Sequence, residues 1–180
     1  ERILKIKDLV LKSKNLSLNI LDFSRKRKPV QEKIDMVRTA EEVIQLLEST
    51  ALKNIDVQRQ YEAEPIHYKI DREKISLVLF NLLLNARDAV EEMDGQKKEI
   101  KIFIGETRTQ NREYLAIRVA DNGVGIEKSR VDKIFERYYS TKKEKGTGLG
   151  LAIVKEIIEE YGGEVKLETE PGKGSRFSLL

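Results

Sequence analysis

The sequence predicts an α+β fold, a mixed sheet covered on one face by helices and preceded by one helix of a bundle. Three observations point there. Alternating segments near 55–61, 99–107 and 113–120, with a final hairpin around "EPGKGS", read as strands. Long apolar-periodic segments separate them and read as helices. The texture changes at Pro29, so residues 1–28 form a bundle helix and 29–180 the main domain.

The 180 residues suffice for one core with a small appendage. Charged residues make up 36% of the chain, yet the net charge is only +3, so the signs interleave and no broad basic field points to nucleic acid. With no cysteine there is neither a disulfide framework nor thiolate chemistry. No stretch of about 18 apolar residues predicts a membrane span.

In chain order, residues 1 to about 27 carry two apolar stripes: Ile6, Leu9, Leu16, Ile20 and Phe23, and a second of Leu4, Leu11 and Leu18. Two stripes suit a bundle helix with several neighbours. Thr39 with Glu42 predicts a capping-box start for a helix reaching about Lys53. Ile55, Val57, Arg59 and Tyr61 alternate as a strand. Asp71 is an N-cap for the helix "REKISLVLFNLLLNARDAVEEM", apolar nearly all round and hence buried on most sides. Two strands follow, joined by the polar turn "TRTQNRE", and the second runs into "DNGVGI". A short helix near Lys128–Phe135, a Lys-rich loop and a helix ended by Gly162-Gly163 lead to the closing hairpin.

Three signals bear on function, each with a plain alternative. Gly146, Gly148 and Gly150 sit where the last helix begins, and free N–H groups and the helix dipole there suit phosphate; the alternative is a slack loop. The spacing matches neither the dinucleotide fingerprint nor a Walker A loop. Asn81, Asn85 and Asp88 share one face of the buried helix, where oxygen ligands suit Mg²⁺ shared with phosphates; the alternative is a solvated stripe. In "DNGVGI" Asp121 can accept a hydrogen bond from an exocyclic amine, which adenine has and guanine lacks at the six position. Gly123 and Gly125 would leave space above it; the alternative is an ordinary Asn-Gly turn. Together the three describe Mg·ATP.

"NLLLNARDAV", "DNGVGI", "IFERYYSTK" and "GTGLGLAIVKEI" resemble, in order and spacing, the N, G1, F and G2 boxes of sensor histidine kinases, and "GKGSRFSLL" resembles their closing strand. The resemblance covers about residues 34–180. It implies the two-layer α/β sandwich shared with gyrase-type ATPases, with ATP and Mg²⁺ as cofactors. By that likeness Asn85 is the Mg²⁺ ligand and Asn81 lies by the phosphates, with Asp88 on the same face. Asp121 takes the adenine amine, and Gly123, Gly125, Ile126, Gly146, Thr147, Gly148, Leu149 and Gly150 line or shape the pocket. Phe135 would anchor a mobile lid from about Ser140 to Thr147. Lys142 stands where relatives carry an arginine and is the phosphate-contacting candidate. The catalytic set is Asn81, Asn85 and Lys142.

The N-terminal helix, ending "NILDFSRKRKP", resembles the second helix of the kinases' dimerisation bundle. The acceptor histidine belongs to the preceding helix, and His67, the sole histidine, does not resemble it. The likeness implies a cytoplasmic protein-histidine kinase, ATP and ADP as ligands, a response-regulator receiver as partner, and a homodimer through the bundle. A related ATPase and an ATP-binding module without chemistry are the competing readings. Asn81 speaks against hydrolysis, because an amide cannot serve as the general base that activates water.

Overall fold

The computed structural model describes residues 30–109, 112–140 and 147–180. The predicted N-terminal helix, Lys142 and Gly146 lie outside the described residues.

The described chain opens with strand β1 (Glu32–Asp35) and helix α1 (Met36–Glu48). Asp35, not Thr39, caps α1: its Oδ1 accepts the Val37 and Arg38 N–H groups at 3.0 and 3.3 Å. Thr39 sits one turn inside, 2% exposed, its hydroxyl donating back to the Asp35 carbonyl at 2.8 Å. The Thr39–Glu42 spacing mimics a capping box, but Thr39 belongs to the buried face and a carboxylate already stands at the cap. The helix also ends at Glu48, short of Lys53.

Strands β2 (Asp56–Tyr61) and β3 (His67–Ile70) follow, then α2 (Arg72–Glu91). Asp71 caps α2 as expected, accepting from Glu73 and Lys74 N–H. Strands β4 (Glu99–Thr109) and β5 (Arg112–Asp121) are longer than expected. Pairing runs out to Thr109 opposite Arg112, so most of "TRTQNRE" is strand. Polarity had suggested a turn, but threonines fit an extended ladder and register is set from the apolar end. After β5 only Lys128–Arg130 forms a 3₁₀ helix, and single turns follow to Tyr138 where a longer helix was expected. Helix α3 (Gly150–Glu160) and strands β6 (Val165–Glu170) and β7 (Gly174–Leu179) complete the domain.

The main sheet has the order β2-β4-β5-β7-β6, with β2 and β4 parallel and the other pairs antiparallel. β1 and β3 form a separate antiparallel pair. The expected mixed sheet with helices is therefore present. Ile100, Ile102 and Ile104 of β4 and Ile117 and Val119 of β5 are buried with Val78, Leu79, Leu82 and Leu83 of α2. Arg59 and Tyr61 of β2 reach α1, where the Tyr61 hydroxyl donates to Glu41 at 2.6 Å. A cavity of about 370 Å³ lined by Tyr68, Ile70, Ile75 and Tyr161 lies at the N-terminal end of α2 and contains none of the expected site residues.

Candidate active site

Helix α2 is the spine on which the expected site residues meet. Asn81 is 4% exposed, and its Nδ2 donates to the Leu77 carbonyl one turn back at 3.0 Å. Its Oδ1 faces the start of α3: a Cβ added to Gly150 would stand 2.9 Å from it. A side chain at position 150 would press on this amide. Two turns further along α2, Ala89 meets the turn after β5. The Ala89 carbonyl accepts the Val124 N–H at 3.2 Å, and a Cβ on Gly123 would lie 2.4 Å from the Ala89 backbone. Asn85 lies between these two contacts, four residues from each. Its Nδ2 is buried and has no hydrogen-bond partner among the described residues. A buried donor left unmet costs about 1–3 kcal/mol, so this one calls for an acceptor from outside the chain, water or ligand.

Asp88 continues the same face and pairs with the guanidinium of Arg87, which is 8% exposed. The face is therefore not the solvated stripe that its polarity alone allowed: Asn81 is buried, and Asn85 and Asp88 are half-buried.

The "DNGVGI" turn forms the second wall. Asp121 ends β5 half-buried, and its carboxylate accepts from the Gly123 N–H at 2.9 Å and from the Ser175 N–H. Burial raises its pKa above the ordinary aspartate value, against those two hydrogen bonds. Asn122 turns away from the site: its amide bonds the Lys97 carbonyl and the Glu99 N–H at the start of β4. The glycines do not leave the open space expected of them. Gly123 makes room for α2, and Gly125, at φ +67°, makes room for the Glu170 carbonyl, 2.1 Å from where a Cβ would stand. Ile126 packs against the core, and its N–H donates to Thr169 Oγ1 at 2.9 Å.

The third wall is the start of α3. Leu149 occupies the N-cap position, and no side chain caps the helix there; the Thr147 hydroxyl accepts the Leu149 N–H at 3.4 Å. Gly148, at φ +68°, packs against the Tyr138 backbone, and its carbonyl accepts the Tyr138 N–H at 2.9 Å. That bond ties Tyr138 to the chain just before α3. Phe135 rests edge-on against Phe177 of β7, ring centroids 6.4 Å apart, with Lys155 Nζ 5.8 Å from its centroid. His67 is exposed in β3, opposite Asp35, and leads into the end of α2 remote from Asn85.

Residues 70–180 match the model of a family described as histidine kinase-, DNA gyrase B-, and HSP90-like ATPase. The chain belongs to this family. Within this ATPase family it corresponds to the catalytic domain of sensor histidine kinases. The catalytic domain of histidine kinase ThkA superposes with a TM-score of 0.69 at 30% identity, over 83% of this chain and 95% of that one. The sensor histidine kinase WalK of Bacillus subtilis is 34% identical over 154 residues, 83% of this chain and 24% of WalK. The signal transduction histidine-protein kinase AtoS of Escherichia coli is 32% identical over 162 residues, 89% of this chain and 25% of AtoS. The chain thus spans about a quarter of the length of the curated relatives it matches. Full-length ShkA, solved in complex with AMPPNP, gives a TM-score of 0.73 at 21% identity, over 96% of this chain and 35% of ShkA, a likeness of fold.

Two polar residues that adjoin Asp121 and Ile126 escaped the reading of motifs. Thr169 and Ser175 sit at helix-facing positions of β6 and β7, where the alternation calls for apolar side chains; Ser175 is 6% exposed. A polar residue on the inward phase of a strand was the signal that could have found them. Among the described residues no helix is long and apolar enough to cross a membrane.

Proposed function

We propose that this domain binds Mg·ATP between α2, the Asp121 turn and the start of α3, and transfers the γ-phosphoryl group to a histidine supplied by a bundle helix outside this chain. The observation that carries the reading is Asn85, whose buried amide nitrogen lacks a partner midway between the two walls. The residues fit the metal. Among the described residues no cluster of three or more His, Cys, Asp or Glu stands ready for an ion, and Mg²⁺ needs none, since it keeps waters and shares phosphate oxygens. Asn85 would hold it through its amide oxygen while its Nδ2 donates to a phosphate oxygen, and the ion would neutralise charge on the phosphates during transfer.

Asp121 would accept the adenine amine, Ile126 would cover the base, and the free N–H groups of the first turn of α3, from Gly150 onward, would meet phosphate oxygens, with Thr147 and Lys142 as further phosphate contacts. In the transfer, a ring nitrogen of the histidine forms the N–P bond as the bond from the γ-phosphorus to the bridging oxygen breaks, and ADP leaves. Asn81 stands where a hydrolytic enzyme would need a base. Its amide is buried, with the donor committed to Leu77, so it favours transfer to a supplied nucleophile over attack by water. Residues 1–28 would be the second helix of that bundle, through which the full-length protein dimerises in the cytoplasm and meets a response-regulator receiver.

The test uses radiolabelled ATP with a separate polypeptide carrying the complete histidine-bearing bundle. Transfer in trans, with an acid-labile and alkali-stable phosphate and almost no self-labelling, is expected. Fast hydrolysis lost in Asn81→Ala, with no transfer, would assign the domain to the ATPase reading instead. Self-labelling lost in His67→Ala would make this chain its own acceptor.

A further inference from the structure

Across the helix-facing side of the sheet, Ile100, Asp121, Ser175 and Thr169 stand in one row, each opposite the next on the neighbouring strand. Thr169 Oγ1 closes that row. It receives the Ile126 N–H at 2.9 Å and lies 3.1 Å from the Gly174 carbonyl and 2.9 Å from Ser175 Oγ. A hydroxyl has one hydrogen and two lone pairs. The set is complete when Thr169 donates to Gly174 and accepts from Ile126 N–H and the Ser175 hydroxyl.

These partners belong to two segments. Ile126 ends the turn that begins at Asp121, while Gly174 and Ser175 open β7. The same segments meet where the Gly172 N–H donates to the Val124 carbonyl at 2.8 Å, and where the Ser175 N–H reaches the Asp121 carboxylate. Most of these ties are backbone to backbone or backbone to Asp121. The bond to Ile126 instead depends on one side chain, and valine would copy its shape without its acceptor.

We propose that Thr169 is a positioning residue of the nucleotide site, its hydroxyl locking residues 121–126 against the β6–β7 hairpin so that the Asp121 carboxylate keeps its direction toward the base. The proposal rests on reading Asp121 as the base-edge acceptor. It makes Thr169 answer for adenine preference without touching the ligand.

The test titrates the whole chain calorimetrically with ATP and GTP, each with and without Mg²⁺, for wild type, Thr169→Val and Thr169→Ser. Wild type should prefer ATP. Valine leaves the Ile126 N–H without a partner and should weaken ATP binding about tenfold while hardly changing GTP. The gain conferred by Mg²⁺ should stay as in wild type, because Asn85 is untouched. Serine should return ATP affinity to within about twofold, since the hydroxyl is what matters.

Unchanged ATP affinity in Thr169→Val, in a wild type that discriminates, overturns the role of Thr169 alone. Serine as weak as valine assigns the effect to the methyl group, and equal losses for ATP and GTP assign it to general loosening. A wild type that binds both nucleotides equally refutes the Asp121 reading and this proposal with it. Should valine abolish cooperative thermal unfolding, Thr169→Cys replaces it, with a weaker acceptor of similar size. Cysteine must then bind ATP less well than serine, and equality overturns the proposal.

Discussion

At the Asp121 end of the site the polar groups are answered by the protein itself: the carboxylate by two N–H groups, Ile126 by Thr169, and Val124 by Ala89 on one side and Gly172 on the other. At the α3 end the helix starts on Leu149 without a side-chain cap, and the Asn85 Nδ2, midway along α2 between the two ends, has no partner among the described residues. The two ends are eight residues or fewer apart along one helix, so the difference is not one of depth in the fold. A surface that recognises a flat base needs fixed direction, which internal hydrogen bonds supply. A surface that receives phosphate and metal needs donors and oxygens left open for the ligand.

The comparison is broken most severely if the Asp121 end does not discriminate bases. Asp121→Asn should lose about 10- to 100-fold in ATP affinity, because a charge-assisted bond becomes an amide that can turn its donor toward the adenine amine. GTP binding should change little. Calorimetry giving the same loss for both nucleotides would show that Asp121 supports the turn rather than reading the base.

A second test concerns the tight packing at that end. Gly123→Ala places a methyl 2.4 Å from the Ala89 backbone, which belongs to a buried helix and cannot yield like a side-chain tip. Stability measured by urea unfolding should fall by about 1–3 kcal/mol. A loss under about 0.5 kcal/mol, the range of ordinary surface changes, would mean that the turn and α2 are not pressed together as described.

Much of this arrangement is legible in the sequence because it depends on local chemistry. The Asp71 cap, the polar face of α2, the strand running into "DNGVGI" and the glycine-led start of α3 follow from neighbours three or four residues away. Asp35 was missed because Thr39 and Glu42 offered a competing local pattern, and only burial of Thr39 decides between them. The purpose of Gly123 and Gly125 was misread for another reason: a missing Cβ looks the same in sequence whether it admits a ligand or a neighbouring backbone. Thr169 and Ser175 break the apolar alternation of their strands, but their link to Asp121 became visible only through strand register, which joins residues of β5, β7 and β6 that no spacing connects. Asn85 could be placed on the polar face of α2 from spacing alone, but its lack of a partner among the described residues is a tertiary property.

The smallest expected effect is a pH dependence. Burial raises the Asp121 pKa, so the folded chain holds that proton more tightly than the unfolded chain. The stability this group contributes is therefore present below its unfolded pKa and is lost as pH rises through the folded value. Asp121→Asn has no such loss. Its thermal midpoint without nucleotide, relative to wild type, should be higher at pH 7 than at pH 4. A difference that shrinks with rising pH would mean that the carboxylate is better stabilised than its burial indicates.

The contrast between the two ends is tested most directly at Asn85, by titrating ATP with and without Mg²⁺ into wild type and Asn85→Ala. The account predicts that Mg²⁺ strengthens wild-type binding by about tenfold or more and that this gain collapses in the variant, whose metal-free affinity stays near wild type. An undiminished Mg²⁺ gain in Asn85→Ala would contradict it.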